Sequence, residues 1–330
     1  MKCENNFNKF NKNISLGATR MERINNGVAN LKKFTCSDKN LPEGEGTGIA
    51  DILMEIFIQG SYAIGTCIKP AKSDDEFDVD VVLLLSIDPT KVSSPEVLKW
   101  LQERLNSNKD YKGKIVPKKR CIRIDYAGDF HLDVVPIVSG EGAFLIPDKN
   151  EGWSDTDPKG VIAWCNQREI ISGKRFKRIV KHLKWWRSAV APNKADVSSI
   201  LLTTLIGNNI VLKSSDAEGL VAVMNNISGY LKGEIEVPFI AHPVFSSQNL
   251  AQDLTKEKYS IFKDAFIETT QLAINAYNEA DEGKSVELWR GIFGNEFPAD
   301  ISSAGSSLLG LGGATFPNRP VTPNKPGGFA

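Results

Sequence analysis

No stretch of this sequence stays apolar long enough to span a bilayer: the most hydrophobic windows, 79–85 and 200–206, fall far short of the roughly 20 residues a membrane helix needs. Nor does it open on a basic start, an apolar run and a small-residue cleavage site. The opening MKCENNFNKFNKN is polar and rich in Asn, which predicts a cytoplasmic protein without membrane association. Charge of one sign is also lacking. Lys plus Arg number 40 and Asp plus Glu 40, so no global field draws the chain to DNA or RNA, and any basic site is local. Cysteine is sparse: Cys3, Cys36, Cys67, Cys121 and Cys165 are scattered, odd in number and without a C-x-x-C pair. That excludes zinc-ligand spacing and a disulfide framework, and predicts reduced, mostly buried thiols. A Walker phosphate loop, with its spaced glycines and Lys-Ser or Lys-Thr pair, is missing too.

What the sequence does contain is room for two lobes, with 330 residues of which 41% are hydrophobic and 24% charged. Residues 1–15 read as polar and loose. Met21, Ile24, Val28 and Leu31 recur at helical spacing and predict a helix over 16–33. Four runs rich in β-branched residues then read as strands: EIFIQ (55–59), FDVDVVLLL (77–85), CIRIDYA (121–127) and FHLDVVPIV (130–138). A helix over 94–106 separates the second from the third, so the front half mixes strands with helices. Beyond Asp157 the strand signals stop. Segments 158–172, 174–190, 196–212, 215–232, 250–280 and 283–293 read as helical, and from Ser302 a Gly-, Ser- and Pro-rich run reads as a flexible tail. The expected division is a catalytic lobe over 1–155, a helical nucleotide-binding lobe over 156–303 and a tail over 304–330.

The chemistry concentrates in the strands. Side chains alternate across a strand, so Asp78 and Asp80 share one face of FDVDVV while Phe77, Val79 and Val81 take the other. Carboxylates this close raise each other's pKa unless a cation sits between them, and a hard divalent cation suits their oxygens. A third carboxylate, Asp133, stands in the apolar run FHLDVVP. If the two strands are neighbours, Asp78, Asp80 and Asp133 can bind two Mg²⁺ ions for in-line phosphoryl displacement, with Asp133 as ligand or base. A single strand-edge Asp is ordinarily a solvated residue; the pairing and its recurrence argue otherwise. Gly60-Ser61, just after the first strand, adds a turn where backbone N–H groups can approach a phosphate and a hydroxyl can meet it.

These residues carry a resemblance. Gln59-Gly60-Ser61-Tyr62-Ala63-Ile64-Gly65-Thr66, Asp78-Val79-Asp80 and Asp133-Val134-Val135-Pro136 resemble the cGAS/DncV-like nucleotidyltransferases of bacterial CBASS antiphage systems, within the polymerase-β superfamily. The resemblance spans nearly the whole chain. It implies an α+β fold in which a polymerase-β-like lobe with a mixed β-sheet packs against a helical C-terminal lobe, as in oligoadenylate synthetase and cGAS. It also implies an activity: ribonucleoside triphosphates, ATP among them, joined into a cyclic di- or trinucleotide messenger with release of pyrophosphate. Mg²⁺ would be the cofactor, with Mn²⁺ able to substitute.

Further site residues follow from the same resemblance. In 175–187, Phe176, Ile179, Val180 and Leu183 form an apolar stripe and leave Lys177, Lys181 and Lys184 on another face. A lysine face is ordinarily solvated. Leu183-Lys184-Trp185-Trp186, however, resembles the family's L-x-K-x-W helix, whose lysine meets the donor triphosphate. Ser199, with Ser198 as the close alternative, would be the family's phosphate-touching serine at the start of the next helix. Gln59, Gly60 and Ser61 complete the nucleotide-binding set. Trp289 to Pro298 resembles the segment closing the family's core and reads as packing. The zinc insertion of the animal DNA sensor is absent, so no obligatory DNA activator is implied. The tail, ending Gly327-Gly328-Phe329-Ala330, resembles those that relatives offer to a conjugating or regulatory partner protein, and a downstream effector would read the product.

Other readings stay open at this point. A linear oligonucleotide synthetase, a tRNA-tailing enzyme or a small-molecule nucleotidyltransferase would use the same carboxylates, although balanced charge disfavours the second. A non-catalytic nucleotide-binding scaffold would be marked by loss of a carboxylate, and all three are present.

Overall fold

The computed structural model describes residues 3–39, 47–71, 77–126, 130–191, 193–194 and 196–300. In chain order the first half forms α1 (Glu4–Asn13), α2 (Ala18–Ser37), the single turn α3 (Ile49–Ile52), β1 (Leu53–Gln59), α4 (Gly60–Ile64) and β2 (Phe77–Leu85). It continues through α5 (Ser94–Ser107), β3 (Ile115–Pro117), β4 (Ile122–Tyr126), β5 (Phe130–Ser139), β6 (Phe144–Asp148) and β7 (Gly152–Thr156). The second half is helical: α6 (Pro158–Ile171), α7 (Phe176–Trp185), α8 (Ser199–Asn208), α9 (Asp216–Gly233), α10 (Lys256–Asn278) and α11 (Glu282–Phe293). Local chemistry sets several starts. Ser93 and Glu96 form a capping box with Pro95 in the first turn of α5, and the Asp157 side chain accepts the Gly160 N–H ahead of α6.

The seven strands make one mixed sheet ordered β1-β2-β5-β4-β3, with β6 and β7 extending from the far end of β5. β2 and β5 run parallel and the other pairs antiparallel. One core lies between the sheet and α2 with α5, built from Val79, Val81, Leu83, Leu101 and Leu132 among others. A separate core gathers α7 to α11 around Leu183, Leu220, Phe266 and Trp289. Each amphipathic element thus buries its own stripe, and the carboxylate-bearing edge of the sheet faces the helical half. No helix among the described residues is long and apolar enough to cross a membrane.

Three expectations need correction. Residues 1–15 are not loose: 4–13 form α1, and Cys3, Phe7, Phe10 and Ile14 are buried in the helical core. Their spacing of four, three and four is a helical stripe, but single apolar residues set among Asn and Lys masked it. The helix expected over 174–190 gives way at Trp186 to a π-helical turn (Trp186–Val190), and α10 starts only at Lys256. Of the cysteines, Cys3 and Cys165 are buried, Cys67 and Cys121 are half-buried, and Cys36 is exposed. The short β3, β6 and β7 gave no alternation in sequence; β7, GWSDT, is a strand because β6 pairs with it. The proposed tail (304–330) and the segment 72–76 lie outside the described residues.

Candidate active site

The register of the sheet lines up the chemistry in two rows. Gln59 on β1 stands opposite Asp80 on β2, Asp80 opposite Asp133 on β5, and Asp133 opposite Arg123 on β4. One pleat away, Asp78 pairs with His131, and His131 with Asp125. Because side chains on one face recur every second residue, both rows rise from the same face of the sheet.

The carboxylates are not equivalent. Asp80 is pushed up to about 6, first by burial and then by its neighbours Asp133 and Asp78. Arg123 lies across the other two: its Nη2 is 2.7 Å from Asp78 Oδ1, while its Nε and Nη2 donate to the two Asp133 oxygens at 2.7 and 2.9 Å. Its hydrogen bonds to Asp133 hold the guanidinium above the ordinary arginine range. Hard oxygen donors of the kind that bind divalent cations are therefore present on Asp78, Asp80 and Asp133. No three or more His, Cys, Asp or Glu side chains among the described residues are already gathered into a metal-binding group.

Gly60 opens α4 with a positive φ of 67°, a conformation that favours glycine, and a Cβ there would fall 2.2 Å from Asp80 Oδ2. Next to it the Ser61 hydroxyl lies 3.0 Å from the Cys67 thiol, whose pKa burial pushes up. Helix α7 supplies the opposite wall. Its apolar stripe of Phe176, Ile179, Val180 and Leu183 is fully buried, and Lys184 is only 7% exposed, its Nζ donating to the Thr66 carbonyl at 3.1 Å. Burial brings that ammonium down to about 8. One turn on, Arg187 donates to the Val197 carbonyl and, at 3.1 Å, to the Ser199 hydroxyl. Ser198 instead caps α8 by accepting the Leu201 N–H, leaving Ser199 to face the cleft.

Gly60, Ser61, Asp78, Asp80, Lys184 and Ser199 all line one cleft of about 750 Å³ between the sheet and the helices. Asp133 sits behind Arg123 at 8% exposure. Gln59 lines a neighbouring hollow of about 690 Å³ that shares Gly60, Ile64, Val161 and Ile200 with the first. Arg123, His131 and Arg187, also in the cleft, escaped the reading of the sequence. Arg187 is three residues after Lys184 and so on its helical face; Arg123 had no such signal, since its place depends on which residue of β5 it opposes.

A family model described as Second Messenger Oligonucleotide or Dinucleotide Synthetase domain matches residues 1–169. The chain is 30% identical over 293 residues to a cyclic AMP-AMP-AMP synthase of Acinetobacter sp., covering 83% of this chain and 84% of the relative. To a c-di-GMP synthase of Roseivirga ehrenbergii it is 29% identical over 331 residues, covering 89% and 84%. Among solved structures, E. coli MS115-1 CdnC with ATP superposes with a TM-score of 0.71 at 16% identity, covering 90% of this chain and 99% of that one. The same CdnC in a complex with HORMA-deltaN gives 0.69 at 17%, covering 89% and 98%; at such identities the likeness is one of fold.

Proposed function

This chain belongs to the second messenger oligonucleotide or dinucleotide synthetase family, the CBASS-type cGAS/DncV-like nucleotidyltransferases, and from that premise we propose how its cleft makes a cyclic oligonucleotide. The observation that carries the reading is that Asp78 and Asp80 face Lys184 and Ser199 across one cleft, with Asp133 in register beside Asp80 and behind Arg123. Purine ribonucleoside triphosphates, ATP among them, are the proposed substrates, as the relatives' names suggest. The domain division proposed is 1–155, 156–303 and 304–330, amended by α1, which packs with the helical core.

In this reading Lys184, the Ser199 hydroxyl at the start of α8, and the Gly60-Ser61 turn hold the donor triphosphate. The sugar hydroxyl of a second nucleotide attacks the α-phosphorus; a P–O bond forms, the bond to the β-phosphate oxygen breaks, and pyrophosphate leaves. The hydroxyl's proton passes to a carboxylate of the row. Asp133, engaged by Arg123, is the carboxylate proposed as ligand or base for that step. A second round on the bound linear product closes the ring.

The donor set fits divalent cations: three carboxylates oppose one guanidinium, and Asp80 has no ion pair among the described residues. Asp78, Asp80 and Asp133 would hold Mg²⁺ or Mn²⁺, two ions in the proposed arrangement. When bound, such ions lower the hydroxyl's pKa and offset the charge of the triphosphate.

Incubating the protein with four labelled ribonucleotides and Mg²⁺ or Mn²⁺, followed by mass spectrometry, tests this. A cyclic purine product supports the reading, whereas linear chains alone would sink the ring-closing step. In the cell the product would serve antiphage defence through an effector that reads it. A regulatory or conjugating protein is the proposed partner, acting through residues 304–330.

A further inference from the structure

Where three carboxylates crowd one sheet face, the cation that neutralises them decides what else can enter. In this cleft the chain supplies one of its own. Arg123 sits on β4 directly opposite Asp133, so its guanidinium rises on the carboxylate face. Its two arms differ in strength. The fork onto both oxygens of Asp133 joins side chains that are 17% and 11% exposed, the geometry of a strong charge-assisted pair. The reach to Asp78 uses the same Nη2 a second time, and Asp78 is 50% exposed, where water competes for the contact.

We infer that Arg123 is a positioning residue that works as a releasable clamp: in the nucleotide-free enzyme it ties Asp78 to Asp133, and a divalent cation entering the row takes Asp78 from it while the fork on Asp133 stays. This rests on reading Asp78, Asp80 and Asp133 as cation ligands. The weaker, more exposed arm is the one that yields. Two consequences follow. The guanidinium opposes the arriving cation by like charge, so the empty protein binds metal weakly. Once Asp78 is gone, Nη2 keeps a donor at the cleft wall that suits an anionic oxygen, which links metal arrival to the grip on a triphosphate.

The test is metal binding without nucleotide. Mn²⁺ affinity is measured by electron paramagnetic resonance for wild type, Arg123→Gln and Arg123→Lys, alongside thermal unfolding in EDTA and in Mg²⁺. Arg123→Gln should bind Mn²⁺ roughly tenfold tighter. It should also melt lower in EDTA and gain more from Mg²⁺ than wild type does. Arg123→Lys, which keeps the charge and loses the fork, should stay within about threefold of wild type. Equal or weaker Mn²⁺ binding by Arg123→Gln overturns the clamp. If neither wild type nor Arg123→Gln binds Mn²⁺, the ligand assignment itself falls. Should Arg123→Gln not fold, guanidinium nitrogen resonances of the wild type decide: Mg²⁺ should move the Arg123 Nη signals and leave Nε hydrogen-bonded, and no movement of Nη overturns the release.

Discussion

Gly60 and Asp80 are so close that a Cβ on Gly60 would stand 2.2 Å from the Asp80 carboxylate. The turn and the half-buried acid are therefore one unit, and they can be separated experimentally. Gly60→Ala must shift Asp80 and also hold a positive φ, so it should lose about 1–2 kcal/mol of stability. Activity should fall at least 100-fold, because the displaced acid is one of the three carboxylates proposed to hold the cations. Chemical denaturation and product assays on the same protein check both, and near-normal turnover would show that Asp80 need not hold its position.

Asp80 and Asp133 should respond oppositely in stability although both are needed for activity. The folded pKa of Asp80 is raised to about 6 from 3.8, so the folded protein loses stability as pH rises through that window. Asp80→Asn in EDTA should then be more stable than wild type above pH 6, by roughly 3 kcal/mol. Asp133→Ala leaves Arg123 without its fork and should be less stable. Both variants, and Asp78→Ala, should make no product. An active Asp80→Asn enzyme would remove this carboxylate from the chemistry.

Lys184→Ala and Ser199→Ala should raise KM for the triphosphate more than they lower kcat, since a phosphate contact made equally in ground and transition states contributes to binding alone. The wild-type enzyme should also lose kcat/KM above about pH 8, where the buried Lys184 gives up its proton. That alkaline limb should vanish in Lys184→Ala. A limb that persists belongs to another group.

His182 offers a test away from the cleft. It is fully buried among Phe7, Phe10 and Phe293, and burial takes its pKa down to about 3 from 6.5. Below pH 6.5 the unfolded chain accepts a proton that the folded one refuses, so acid destabilises the fold by up to about 1.4 kcal/mol per pH unit. His182→Phe should flatten that acid limb. Urea midpoints at pH 5 and pH 7 measure it, and an unchanged difference between them would place the acid sensitivity elsewhere.

Much of this site was visible in the residues because alternation along a strand is a local property. The pair Asp78 and Asp80, the strand of Asp133 and the stripe beneath Lys184 all follow from period and composition. What could not be read was register. That Arg123, and no other residue of its strand, faces Asp133 is set by long-range pairing, and a slip of one residue would turn it to the other face. Similarly, Ser198 and Ser199 were indistinguishable until the cap of α8 took one and left the other to the cleft.

Helix α1 carries a consequence measured in time. Phe7 packs edge-on against Trp289, and the Asn6 amide donates to the carbonyls of Pro298 and Asp300, so Asn6 is covered by a residue made 292 positions later. At 5–20 residues per second, the 292 positions between Asn6 and Pro298 take roughly 15 to 60 s to synthesise. Throughout that interval Phe7 and Phe10 have no α11 to cover them. The helical core is completed only once Trp289 and Phe293 have been made, and a nascent chain stalled before Trp289 would lack their cover over Phe7 and Phe10.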